Sequence, residues 1–212
     1  GQVFKTVVHK VSESAGTYSG SDDLTSLMWY DASGRRIKSK GSSISKTFYD
    51  RVGRTTHQFA IAKVDEADSS YSDAGTVTGD VVLEESQTTY DPVDGHPLMR
   101  ASISRAHDDL TNGNSGVLDT NADGNANKFT AANIKGRIQI TAMWYDELHR
   151  LTDMAVYGTN GSSGNASDFD RKPSGSWLSV PSRSDTVLVT SNTYNDDGTL
   201  KETTDPRGLK TR

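Results

Sequence analysis

The stretch DTNADGNAN, residues 119 to 127, carries the densest run of oxygen ligands in the chain. Asp119, Asn121 and Asp123 alternate, Gly124 follows, Asn125 offers a backbone carbonyl and Asn127 a further side-chain oxygen. Calcium prefers such an oxygen-rich loop, with ligands at alternate positions and glycine at the sixth for the sharp turn. Two features depart from that pattern: Ala126 stands at the eighth position, and Thr130 stands at the twelfth where a bidentate Glu is usual. Asp119, Asn121, Asp123 and Asn125 are the candidate ligands of a calcium ion, which would stiffen a long loop. A plain Asn/Asp/Gly-rich surface loop, which this composition produces easily, is the reading favoured over it. No other cofactor is expected.

Other chemistry finds weaker footing. The five histidines are His9, His57, His96, His107 and His149, and none has the spacing that puts two metal ligands on one helix face. His107-Asp108-Asp109 reads as a solvated loop before it reads as an acid/base cluster. No Gly-x-Ser-x-Gly elbow marks a nucleophile. Nothing singles out a pair among the 28 acidic residues for glycoside hydrolysis. Trp177, in a Gly/Ser/Asn-rich stretch, is the one aromatic placed to stack on a sugar, whereas Trp29 and Trp144 share a repeated position that favours packing. No enzyme activity is expected.

The elements that would carry such groups are strands. VFKTVVHKV, SISKTFYD, HQFAIAKV, TVTGDVVLEE, RIQITAMWYD, TDMAVYG and DTVLVTSNTY alternate with period two and are bounded by Gly, Asp, Asn and Ser. The best helical candidate is the short KFTAANIKG. Only 33% of the 212 residues are hydrophobic and 24% are charged, a supply suited to a thin or extended architecture. Net charge is −5, with no basic patch for nucleic acid. The chain has no cysteine, so it has no disulfides and no thiolate chemistry. No run is long and apolar enough to span a membrane. The opening GQVFKTVVHK is not a signal peptide, and the expectation is a fragment of a longer chain.

One octet recurs: WYDASGRR from 29, FYDRVGRT from 48, TYDPVDGH from 89, WYDELHRL from 144 and TYNDDGTL from 193. The tyrosines 30, 49, 90, 145 and 194 are separated by 19, 41, 55 and 49 residues, a bare period and multiples lengthened by insertions. SYSDAGTV, from 70, reads as a decayed copy in the longer gap. Each unit predicts strand, turn, strand. Asp31, Asp50, Asp91, Asp146 and Asn195 open the turns, each placed to accept a backbone N–H two residues on. Gly34, Gly53 and Gly198 supply positive φ. His149 replaces that glycine at some cost, and the third copy reaches Gly95 one residue late. Arg35, Arg54 and Arg150 either lie across aromatic faces or sit solvated beside the turns.

Tyr-Asp-x-x-Gly-Arg at intervals of about twenty residues resembles the YD repeat of the Rhs family, and the closing TTDPRGLKTR resembles the Asp-Pro-x-Gly turn of such repeats. The resemblance implies an all-β fold of antiparallel hairpin repeats, forming a twisted elongated sheet or partial β-shell. It implies one repeat region over residues 1–212, with insertions near 65–79, 105–130 and 158–185. It implies a structural scaffold of a secreted or cell-surface bacterial protein that encloses or presents an effector, or contacts other cells. The partners would be the remainder of its own longer chain and an encapsulated effector or surface glycan. A carbohydrate-binding or calcium-dependent adhesion module is the alternative. The hairpins are too few to close a large shell, and no core segment for self-cleavage accompanies Asp205-Pro206.

Overall fold

A computed structural model describes residues 3–8, 24–64, 71–105, 115–118, 136–159 and 179–212. It is all-β: β1 (Val3–Val8), β2 (Leu24–Tyr30), β3 (Arg36–Lys40), β4 (Ile44–Tyr49), β5 (Thr55–Lys63), β6 (Val81–Tyr90), β7 (Pro97–Arg105), β8 (Gly136–Tyr145), β9 (Leu151–Thr159), β10 (Leu188–Tyr194), β11 (Leu200–Thr204) and β12 (Lys210–Thr211). Strand order in the sheet equals chain order, and the pairings are antiparallel. The chain divides into two compact units, Gly1–Glu85 with Gly113–Val117, and Ser86–Asn112 with Leu118–Arg212.

The strands form where β-branched and aromatic residues alternate with polar ones, because each pleat sends successive side chains to opposite faces. In the first unit one cross-strand row reads Trp29, Lys38, Lys46, Phe59. Trp29 and Phe59 are buried, and so are both lysines. Burial of a side chain such as Phe59 contributes roughly 1.5–3 kcal/mol. In the second unit the row Met99, Ala142, Ala155, Val189 crosses four strands and is buried throughout.

Two expectations change. The decayed hairpin expected from residue 70 is not seen over the described residues 71–77: Ser72–Gly75 is a single 3₁₀ turn, followed by a second turn in which the Asp80 N–H donates to the Val77 carbonyl. Strand β6 accordingly begins at Val81 rather than at Thr76. The reason is tertiary. This segment lies against β3 and β4 with Ala74, Val77 and Asp80 buried, and its carbonyls satisfy the Lys46 ammonium. It is thus a packed cover, not a surface decoration. Strand β7 was not expected, although Met99, Ala101 and Ile103 alternate on its buried face. The helical candidate at 128–136 lies outside the described residues up to Gly136, where β8 begins.

Candidate functional site

The repeated octets build the turns between β2 and β3, β4 and β5, β6 and β7, β8 and β9, and β10 and β11. In the first, the Asp31 N–H donates to the Arg35 carbonyl and the Gly34 N–H to the Asp31 carbonyl. Asp31 Oδ1 accepts the Ser33 and Arg35 N–H groups, each at 2.9 Å. Asp31 Oδ2 takes the Arg35 Nε–H at 2.7 Å. Asp50 with Arg54 and Asp146 with Arg150 repeat the arrangement at the same 2.7 Å. One carboxylate therefore closes the turn and aims an arginine.

Glycines 34, 53, 95 and 198 have φ of 78°, 93°, 82° and 85°. His149 holds the equivalent position at φ 62°, and it is the one non-glycine residue at positive φ among the described residues. The third turn is longer by one residue, as expected: Asp91 N–H donates to His96 O, and Gly95 N–H to Asp91 O. In the fifth turn the ion pair is gone, and Asn195 Nδ2 donates to Thr199 Oγ1 while Asp197 Oδ1 accepts both Thr199 donors. The terminal Asp205 turn moves its arginine to Arg207.

In four hairpins the register slips just before the repeat tyrosine, between Trp29/Tyr30, Phe48/Tyr49, Trp144/Tyr145 and Thr193/Tyr194. An extra residue on the return strand raises the local twist and re-aims the side chain. The tyrosines so aimed join one hairpin to the one before it. Tyr49 Oη donates to Arg36 O at 3.0 Å, Tyr145 Oη to Pro97 O at 3.2 Å and Tyr194 Oη to Leu151 O at 2.8 Å. In each case the acceptor is the residue just after the last turn position. The cation of that earlier turn lies on the same ring: Arg35 over Tyr49 at 4.8 Å, and Arg150 over Tyr194 at 4.5 Å. Of the two readings for these arginines, stacking holds for Arg35 and Arg150. Within the second unit His96 takes the arginine's place, stacked on Tyr145 with ring centroids 4.5 Å apart. His149 and Asp94 complete that joint, His149 lying 5.0 Å from His96 by centroids and 3.7 Å from Asp94 Oδ2 by Nδ1.

The electrostatics follow from these contacts. Hydrogen bonds from the Arg150 backbone and side chain hold the Asp146 carboxyl below the ordinary carboxylate range. At Asp31 and Asp50 loss of hydration pushes upward, and the bonds from Arg35 and Arg54 outweigh it, so both also end low. Burial raises the Tyr145 hydroxyl, with Arg100 acting against it. The Glu202 carboxyl is held low by Lys210 and then by Arg212, both on the short terminal strand and its end.

Tyr49, Tyr145 and Tyr194, with the turn residues before them, thus form joints between hairpins. At Tyr30 the hydroxyl turns to Met28 Sδ at 3.4 Å, and Phe4 meets its ring edge-on at 5.4 Å. Tyr90 ends β6, and Asp91 Oδ1 accepts the Val93 and Asp94 N–H groups. Trp177, His107 and the calcium candidates Asp119, Asn121, Asp123 and Asn125 lie outside the described residues. Among the described residues no three His, Cys, Asp or Glu side chains converge as a metal site, and no helix is long and apolar enough to cross a membrane.

Sequence reasoning missed His96 as an arginine substitute, and it missed the buried Lys46–Asp80 pair, 2.7 Å apart. The signal for Lys46 was present: it alternates with Ile44 and Phe48 on what period two makes one face.

Neither a protein-family model nor a curated protein matches the chain. Solved structures do match. One, the crystal structure of TcdB2-TccC3-Cdc42, is similar at a TM-score of 0.22 and 12% identity, over 94% of this chain and 10% of that chain. The chain therefore spans about a tenth of that chain's length.

Proposed function

We propose that this chain is a scaffold segment of a YD-repeat protein of the Rhs type, secreted or displayed at a bacterial surface, whose work is enclosure or presentation rather than chemistry. The observation that carries the reading is the joint. A turn carboxylate aims a cation, the cation lies on the next tyrosine, and that tyrosine bonds back to the carbonyl after the earlier turn. Residues so arranged have their polar groups committed to one another, which suits a load-carrying wall better than a reacting site. The repeating polar side chains bind hairpin to hairpin, so the motif is extensible in principle by any further copy.

The test is to express the longest natural polypeptide that contains this sequence and to image it by single-particle electron microscopy. A wall built of many such hairpins, with density inside or attached to it, is the expected result. A flanking sequence without further Tyr-Asp turns, and a particle in which these hairpins form an isolated small domain, overturns the reading.

A further inference from the structure

We propose that Lys46 and Asp80 are the site of an intramolecular amide cross-link, a covalent staple between β4 and the start of β6. Lys46 Nζ and Asp80 Oδ2 are 2.7 Å apart, with side-chain exposures of 1% and 0%. The amine is fixed from two further directions by the Asp73 carbonyl at 2.9 Å and the Thr76 carbonyl at 2.7 Å. Nucleophile and acyl carbon are thus held together without a search, the condition under which intramolecular reactions gain most. The pair is withdrawn from bulk solvent: Phe59 lies directly across from Lys46, and both it and Trp29, in the same row, are buried.

Desolvation favours the amide over the ion pair. A buried ion pair keeps a desolvation cost that its mutual attraction only partly offsets, and an amide removes both charges. Lys38, also buried, is the cross-strand neighbour of Lys46, and its ammonium lies over the Trp29 ring at 4.3 Å. The chain has no cysteine with which to make a disulfide.

The step balances within the pair. One ammonium proton passes to the Asp80 carboxylate, leaving an amine and a carboxylic acid. The nitrogen lone pair attacks Cγ and a C–N bond forms. The C–O bond to the hydroxyl breaks, and that hydroxyl leaves as water with a second nitrogen proton. One N–H remains, available to the Thr76 carbonyl. No oxidant, reductant or activating group is consumed.

Intact-mass measurement of the purified full chain decides the matter. The expected mass is one water below that of the sequence, trypsin fails to cut after Lys46, and tandem spectra join the Lys46 peptide to the Asp80 peptide. Lys46→Arg keeps a cation in place and cannot form this product, so it recovers the full mass. A wild-type chain of full mass that is nonetheless folded by circular dichroism overturns the proposal. So does a water loss that persists in Lys46→Arg, which would place the dehydration elsewhere. Neither result bears on the scaffold reading.

Discussion

At the residue scale, the Asp146 carboxylate is the hinge of its turn, accepting the Leu148 and Arg150 N–H groups while pairing with the Arg150 guanidinium. A carboxyl held low in the fold adds stability above its unfolded value, about pH 4, and loses it as pH falls through the folded value. The turns of Asp31, Asp50 and Asp146 should therefore loosen together below about pH 4. Hydrogen exchange at the Arg35, Arg54 and Arg150 amides is the measurement, and protection unchanged down to pH 2.5 speaks against it. Backbone strain gives a second prediction. A Cβ at Gly34 would meet nothing within 4 Å, so Gly34→Ala should cost only the left-handed backbone penalty, on the order of 1 kcal/mol. At Gly53 the added atom would meet Arg35 Nη1 at 3.2 Å, so Gly53→Ala should cost more than Gly34→Ala in thermal melts. His149→Gly relieves the same kind of strain and gives up an exposed contact to Asp94 and the ring contact to His96. It should stabilise by up to about 1 kcal/mol.

At the element scale, what matters is how one hairpin grips the next. Tyr194 is held twice, by its hydroxyl bond to Leu151 O and by the Arg150 guanidinium on its ring. A double-mutant cycle with Arg150→Ala and Tyr194→Leu should return a coupling of about 0.5–1 kcal/mol. Additive effects would mean that the stacking is geometric only. Arg150→Lys should behave more like Arg150→Ala than like wild type, because a lysine keeps the charge but neither the planar stack nor the fork on Asp146. The two-residue strand β12 has a different hold: Lys210 and Arg212 both reach Glu202 at 2.7 Å. Glu202→Gln should fray β12 while leaving the β10–β11 ladder protected, as amide exchange at Thr211 against Thr204 would record.

At the scale of the whole molecule, the two units answer to different interiors. The first is centred on a buried polar group, Lys38, Lys46 and Asp80 beside Trp29 and Phe59. The second is lined by Met99, Ile103, Ile138, Ile140 and small alanines. Asp80→Ala removes the Lys46–Asp80 link, amide or ion pair, and strands the lysine amine in the interior; stranding a buried charge costs roughly 3–5 kcal/mol against a domain stability of about 5–15 kcal/mol. Asp80→Ala should accordingly release the cover formed by residues 71–80, which limited proteolysis of that segment would detect. A substitution confined to the second unit, such as Tyr194→Phe, should leave the 71–80 segment as resistant as in the wild type.

The sequence by itself determined most of the strands and the Tyr-Asp turns, because both are local, while β7 and the start of β6 escaped it. Period-two alternation is a property of neighbouring residues, and an Asp-x-x-Gly turn closes through bonds that span at most four positions, as at Asp31 to Arg35. Even the strained position of His149 was legible, from its place where other copies have glycine. The joints were only half legible: Arg35 on Tyr49 could be posed as a question of spacing, but the stack is made across separate hairpins. His96 on Tyr145 was invisible, since residues 49 apart in the chain meet only when β7 and β8 pair. Residues 70–77 misled because their composition suits a hairpin, whereas a buried ammonium on another strand requires their carbonyls. Tertiary structure decided what local propensity could not: where a lysine is taken out of water, nearby backbone must bend to meet it.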